Sequence, residues 1–177
     1  MTRRILIYGL IAGLIVGAQL LIITLAMKDT PPAYGALIGY TTMLLALSTI
    51  FVAVKRYRDA EGGGVIGFWP ALAMGLAIST VAGVIYVAAW EAALAIGQID
   101  FAGAYAKALI AEQQAKGVRG AALAKFVAEM ETFKAQYANP LYRLPMTFTE
   151  IFPVGVLVSL IAAALLRNPR FMPARRG

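Results

Sequence analysis

The sequence predicts an all-α integral membrane protein: a four-helix bundle with an extracytoplasmic amphipathic helical hairpin between helices three and four. Three observations lead there. Of its 177 residues, 60% are hydrophobic and 14% charged, where a soluble domain carries about a quarter charged residues. Four apolar runs, about 5–27, 34–54, 69–97 and 144–166, each reach the roughly 20 residues a helix needs to cross a bilayer. Nothing outside them is large enough for a polar core, so residues 1–177 read as a single membrane domain.

The first run follows Arg3 and Arg4. It is too long for the apolar stretch of a typical signal peptide, so a retained first helix is expected, with the arginine pair as an orientation signal. Gly9, Gly13 and Gly17 recur every four residues along it. Such a stripe lets a neighbouring helix approach closely. Gly35 and Gly39 repeat the device in the second run, and Gly75, Ser79 and Gly83 in the third. Packing within the bundle is the expected use, and a homo-oligomer interface the alternative.

The connection Lys28–Ala33 is short, so the first two helices form a hairpin. The loop Lys55–Gly67 joins helices two and three. Its glycine triplet lacks the Gly-Lys-Ser/Thr ending of a phosphate-binding P-loop and reads as a flexible connector. Lys55, Arg56 and Arg58 are candidates for anionic lipid headgroups, each worth about 1 kcal/mol near a charged surface. Trp69 and Pro70 mark the interface and first turn of helix three.

Between helices three and four, the segment 100–140 is split at Gly117 and Gly120 into two helical pieces. In the second, Leu123, Phe126, Val127, Met130, Phe133 and Tyr137 recur at three- and four-residue steps, the pattern of an amphipathic helix. A cap over the outer end of the bundle is the first expectation for this piece, ahead of docking a partner or lying on the membrane surface.

Charge placement sets the topology. Arg3, Arg4, Lys55, Arg56, Arg58, Arg167, Arg170, Arg175 and Arg176 all fall on one side, opposed there only by Asp59 and Glu61. The positive-inside rule puts both termini and the Lys55–Gly67 loop in the cytoplasm of a bacterial inner membrane. The net charge of +7 is thereby explained without a nucleic-acid partner.

Several chemistries fall away by counting. The chain has no cysteine and no histidine, which removes thiolate catalysis, iron–sulfur ligation and the Ser-His-Asp triad. Asp29, Asp59 and Asp100 all lie in connections, so paired intramembrane aspartates are absent too. No cofactor and no metal site is indicated.

Two carboxylates stand out, Glu91 and Glu150, inside apolar runs. A charge at membrane depth costs about 3 kcal/mol or more and usually has a partner, a wet cavity or a task. Glu91 lies 22 residues beyond Trp69 and Glu150 lies 17 before Arg167, about 33 and 26 Å at ~1.5 Å per residue. The two are expected at similar depth, where they can meet between helices three and four. Pro153 leaves the Thr149 carbonyl without its helical donor. With the hydroxyls of Thr147 and Thr149 and the Glu150 carboxylate, that carbonyl makes an oxygen cluster suited to a water, a proton or a hard cation. Arg143, seven residues before Glu150, is a candidate partner for either glutamate. A helix-tying ion pair, an ion or proton site, and recognition of a lipid or partner all stay open.

Several stretches carry a resemblance: Tyr-Gly-Leu-Ile-Ala-Gly-Leu-Ile-Val-Gly (8–17), Lys-Arg-Tyr-Arg-Asp (55–59) with the glycines that follow, Ile-Tyr-Val-Ala-Ala-Trp-Glu (85–91), Asn-Pro-Leu-Tyr-Arg (139–143) and Met-Thr-Phe-Thr-Glu-Ile-Phe-Pro-Val-Gly (146–155). Together they resemble the domain of unknown function 4199 family of small four-helix bacterial membrane proteins. The resemblance implies an architecture and supplies no catalytic residues. The expectation is a non-enzymatic inner-membrane protein that binds membrane lipids, a membrane protein partner or itself. The alternative is a proton- or cation-coupled small transporter or channel subunit using Glu91 and Glu150.

Overall fold

The computed structural model describes residues 1–26 and 34–174. The expected Lys28–Ala33 turn, and Arg175 and Arg176, lie outside the described residues. Seven helices follow in order among those described: α1 Thr2–Ala26, α2 Gly35–Leu47, α3 Thr49–Ala60, α4 Phe68–Gly97, α5 Phe101–Ala115, α6 Gly120–Tyr137 and α7 Pro140–Leu166. α2 and α3 make one span, so four helices are long and apolar enough to cross a membrane. Large apolar side chains, including Leu6, Leu14, Ile22, Leu45 and Leu157, are exposed around the bundle. A water-soluble protein rarely shows so continuous an apolar surface; lipid is the solvent it suits. The chain is an all-α, multi-pass membrane bundle.

Glycine decides which helices touch. α1 and α4 run parallel, and each step of the α1 stripe meets a step of α4. A Cβ at Gly9 would lie 2.6 Å from Val81, one at Gly13 2.7 Å from Ile85, and one at Gly17 3.1 Å from Ala89. α7 returns antiparallel against the other side of α4. There Gly75 takes Ser159, Gly155 takes Ser79, and Gly83 takes the Phe148 ring. Each serine hydroxyl donates to the glycine carbonyl one turn back on its own helix, Ser79 to Gly75 at 2.9 Å and Ser159 to Gly155 at 2.6 Å. No polar group is then left bare where the backbones meet.

The second span behaves differently at its two ends. From Met43 onward it is anchored by Ala46, Leu47, Ile50, Ala53 and Val54, all buried. Between Tyr34 and Thr42 no residue is buried. Gly39, expected to pack, has nothing within 4 Å of where a Cβ would stand. Gly35 and Gly39 instead border an opening between α2 and the rest of the bundle. The span is also interrupted at Ser48. There Ser48 and Thr49 donate to the carbonyls of Leu45 and Ala46 at 2.6 and 2.7 Å, diverting acceptors from the helical ladder.

Two boundaries move. The helix expected to end at Val54 continues to Ala60, so Lys55, Arg56 and Arg58 are helical rather than loop residues. The last helix begins at Pro140 instead of Leu144 because Asn139 caps it, accepting from Leu141 N at 3.0 Å, with proline in the first turn. Asp100 caps α5 in the same way through Gly103 N at 2.9 Å. The turn between α5 and α6 needs left-handed backbone at Gly117 (φ 84°) and Gly120 (φ 61°), which glycine adopts without strain.

α5 and α6 do not lie across the bundle as a cap. Among the described residues they pack mainly on each other and join the bundle at their base. That base is aromatic: Trp90 meets Phe101 edge-on at 5.1 Å, Phe101 stacks on Tyr105 at 5.8 Å, and Phe133 and Tyr137 close the cluster at 5.5 Å.

Candidate functional site

The site is built where α4 and α7 emerge toward the hairpin. Glu91 and Arg143 form a two-pronged ion pair, Nε to Oε1 at 2.7 Å and Nη2 to Oε2 at 2.5 Å. Arg143 also donates to the Tyr137 carbonyl at 3.2 Å and lies 5.7 Å from the centre of the Tyr137 ring. Tyr137 Oη in turn accepts from Trp90 Nε1 at 2.7 Å. One arginine thus ties α4, the end of α6 and the start of α7 together. Burial pushes the Tyr137 phenol above its ordinary range, against the Trp90 hydrogen bond and the Arg143 charge, which pull it down.

Glu150 takes no part in this network. Its Oε2 accepts from Tyr86 Oη at 3.0 Å, and Oε1 has no partner among the described residues. Tyr86 precedes Glu91 by five residues, about 8 Å at ~1.5 Å per residue. The carboxylates therefore sit at different depths with separate partners, and they do not meet. The counted depths of about 33 and 26 Å already differ by about 7 Å, and the register of α7 on α4, with Ser79 on Gly155 and Ser159 on Gly75, keeps that offset, which is too large for the two carboxylates to meet.

The expected oxygen cluster is not assembled either. Thr147 is buried, 3% exposed, and its hydroxyl donates to the Arg143 carbonyl at 3.1 Å. Thr149 faces outward and donates to the Met146 carbonyl at 2.7 Å. Two residues along a helix turn about 200°, so these hydroxyls leave on opposite sides. Pro145 and Pro153 both sit within α7.

What Glu150 does face is a cleft of about 510 Å³ bounded by α1, α2, α4 and α7 and the start of α5. Gly35 and Gly39 form one wall and Tyr86 with Glu150 part of another, while Tyr40, Trp90 and Phe101 also line it. A smaller hollow of about 160 Å³ shares Gly39, Met43 and Tyr86 and continues along α1 past Val16, Gln19 and Leu20.

At the opposite end the headgroup candidates divide. Arg58 is completely buried. It donates to Asp59 at 2.8 Å, to the Phe171 carbonyl at 2.9 Å and to the Met172 carbonyl at 2.5 Å. Lys55 pairs with Asp59 at 2.5 Å. Neither Arg58 nor Lys55 has its charge free for lipid; only Arg56 is exposed. A guanidinium with five fixed donors suits exactly this kind of multiple capture, and here it binds the chain after α7.

The family described as protein of unknown function (DUF4199) matches residues 7–168. The chain belongs to this family. No curated protein and no solved structure matches it. The DUF4199 match takes in both polar pairs, the cleft and the whole hairpin, and ends short of the Phe171 and Met172 carbonyls held by Arg58.

Sequence reasoning singled out Glu91, Arg143 and Glu150 but missed Tyr86, Tyr40, Gly155 and Ser159. Gly155 and Ser159 carry a readable signal, the same four-residue spacing of small residues found in α4. Tyr86 and Tyr40 carry none, since an aromatic residue in an apolar run looks the same whether it faces lipid, core or cleft.

Proposed function

We propose that this DUF4199 protein is a non-enzymatic binding protein of a bacterial inner membrane, with a cleft beside α2 that receives a membrane lipid. Both termini are cytoplasmic in this reading and the α5–α6 hairpin extracytoplasmic, because Arg3, Arg4, Arg56, Arg167 and Arg170 gather at the end opposite the hairpin. The observation that carries the proposal is the cleft itself. Its volume of about 510 Å³ falls within the roughly 300–1,000 Å³ of small-molecule sites, and it lies in a part of the bundle clad in apolar side chains.

The geometry favours binding over translocation by a carboxylate pair. Glu91 is occupied by Arg143, which leaves Glu150 alone where the transporter reading used both. The test is native mass spectrometry of protein extracted in mild detergent, with Gly39→Leu as the comparison. A Cβ at 39 meets nothing within 4 Å, so a leucine there is expected to project into the cleft that Gly39 lines. The wild type is expected to retain lipid at fixed stoichiometry and Gly39→Leu to lose it. Equal retention by both, or none by either, overturns the reading.

A further inference from the structure

We propose that the cleft recognises an ammonium group, carried on an apolar chain, through Glu150 and the aromatic residues around it. This rests on the lipid-binding reading above and names the ligand's head. Glu150 is the one carboxylate among the described lining residues, and those residues include no lysine or arginine. Its Oε2 is engaged by the Tyr86 hydroxyl at 3.0 Å, while Oε1 is left without a partner among the described residues. A carboxylate in an apolar setting calls for a positive partner, and its charge disfavours a head whose only charge is a phosphate or sulfate.

Four aromatic side chains line the same cleft, Tyr40, Tyr86, Trp90 and Phe101. Aromatic rings beside a carboxylate are the environment in which ammonium ions are held by cation–π attraction. Three of these rings are fixed before any ligand arrives. Tyr86 is hydrogen-bonded to Glu150, Trp90 to Tyr137 at 2.7 Å, and Phe101 is wedged edge-on against Trp90 at 5.1 Å. Such preorganisation lowers the cost of binding. The hollow that continues past Leu20 and Val16 offers the apolar chain a path along α1.

The experiment uses Trp69→Phe, which leaves Trp90 as the only tryptophan, in a non-ionic maltoside. Its emission is followed while adding phosphatidylethanolamine, tetradecyltrimethylammonium or phosphatidylglycerol. A saturable change with either ammonium compound, at least tenfold weaker in Glu150→Gln, supports the proposal. A response to phosphatidylethanolamine alone assigns the head to a membrane lipid, and one to the alkylammonium alone keeps the ammonium site but overturns the membrane-lipid reading. Tyr86→Phe keeps the ring and is expected to lose only a few-fold. An equal response to phosphatidylglycerol, or unchanged affinity in Glu150→Gln, overturns ammonium recognition while leaving lipid binding intact. No response to any compound overturns both.

Discussion

Ser79 of α4 stands directly on Gly155 of α7, its Cβ 2.6 Å from where a Cβ at 155 would lie. One turn along each helix the roles reverse, and Ser159 sits on Gly75 with its Cβ 2.7 Å from a Cβ there. The two antiparallel helices thus share a Gly-x-x-x-Ser motif that fits itself head to tail. No lipid enters between them, and the hydroxyls are spent within their own helices.

This fit predicts the effect of one methyl group. Gly155→Ala forces α4 and α7 apart and is expected to cost about 1–3 kcal/mol, the usual penalty of overpacking. The measurement is the thermal midpoint in detergent. Adding Ser79→Gly to the same chain should recover most of the loss, since the obstruction is then gone. A midpoint that does not move in Gly155→Ala contradicts the contact.

Arg58 predicts a local release. Arg58→Gln keeps a polar side chain but cannot reach the Phe171 and Met172 carbonyls together. Hydrogen bonds to a charged donor contribute about 1.5–3 kcal/mol, and the loss should appear mainly where they end. Hydrogen exchange or proteolytic cleavage around residues 168–172 should accelerate several-fold while the helices stay protected. Uniform loosening of the whole chain would count against a latch.

The Glu91–Arg143 pair predicts a difference between charge and shape. Glu91→Gln leaves Arg143 only 16% exposed and without its anion, at an expected cost of about 1–3 kcal/mol. Arg143→Lys keeps the charge but loses the fork that spans both carboxylate oxygens and the Tyr137 carbonyl. Both variants should raise hydrogen exchange at the base of α6 and red-shift Trp90 emission. Should Arg143→Lys match the wild type in both, the pair acts as a bare charge contact.

Glu61 predicts a pH dependence outside the membrane. The Arg4 hydrogen bond at 2.7 Å, with the N-terminal ammonium at 3.4 Å, holds its carboxyl below the ordinary value near 4.5. A carboxyl lowered in the folded state stabilises fully above its unfolded value and loses that effect as pH falls through its folded one. Wild type and Glu61→Gln should therefore differ in thermal midpoint at neutral pH and converge as pH drops below 4.5. The residue is exposed, so the gap is small; one that persists unchanged at acid pH excludes the ion pair as its source.

The division between sequence and structure runs through particular residues. Gly9, Gly13 and Gly17 were legible as a contact stripe because close helix approach in lipid has few other solutions. Gly35 and Gly39 have the same spacing and the opposite outcome. A missing side chain permits contact or leaves a void, and only the neighbour's path decides which. Glu91, Glu150 and Arg143 were legible because ionisable groups are costly in an apolar run, but their pairing was not. Pairing depends on how far α7 slides along α4, and that is set by the Ser79–Gly155 and Ser159–Gly75 contacts.

Hydropathy and charge by themselves determined the class, the four spans, the two-piece hairpin and the clustering of basic residues at one end, because each follows from the local cost of placing a residue in lipid or water. Tertiary structure alone decided that the first part of α2, up to Thr42, stands away from the bundle, that Glu150 faces the resulting cleft with Tyr86, and that Arg58 turns inward. Those outcomes rest on distances between residues far apart in the chain, which no local transfer energy specifies.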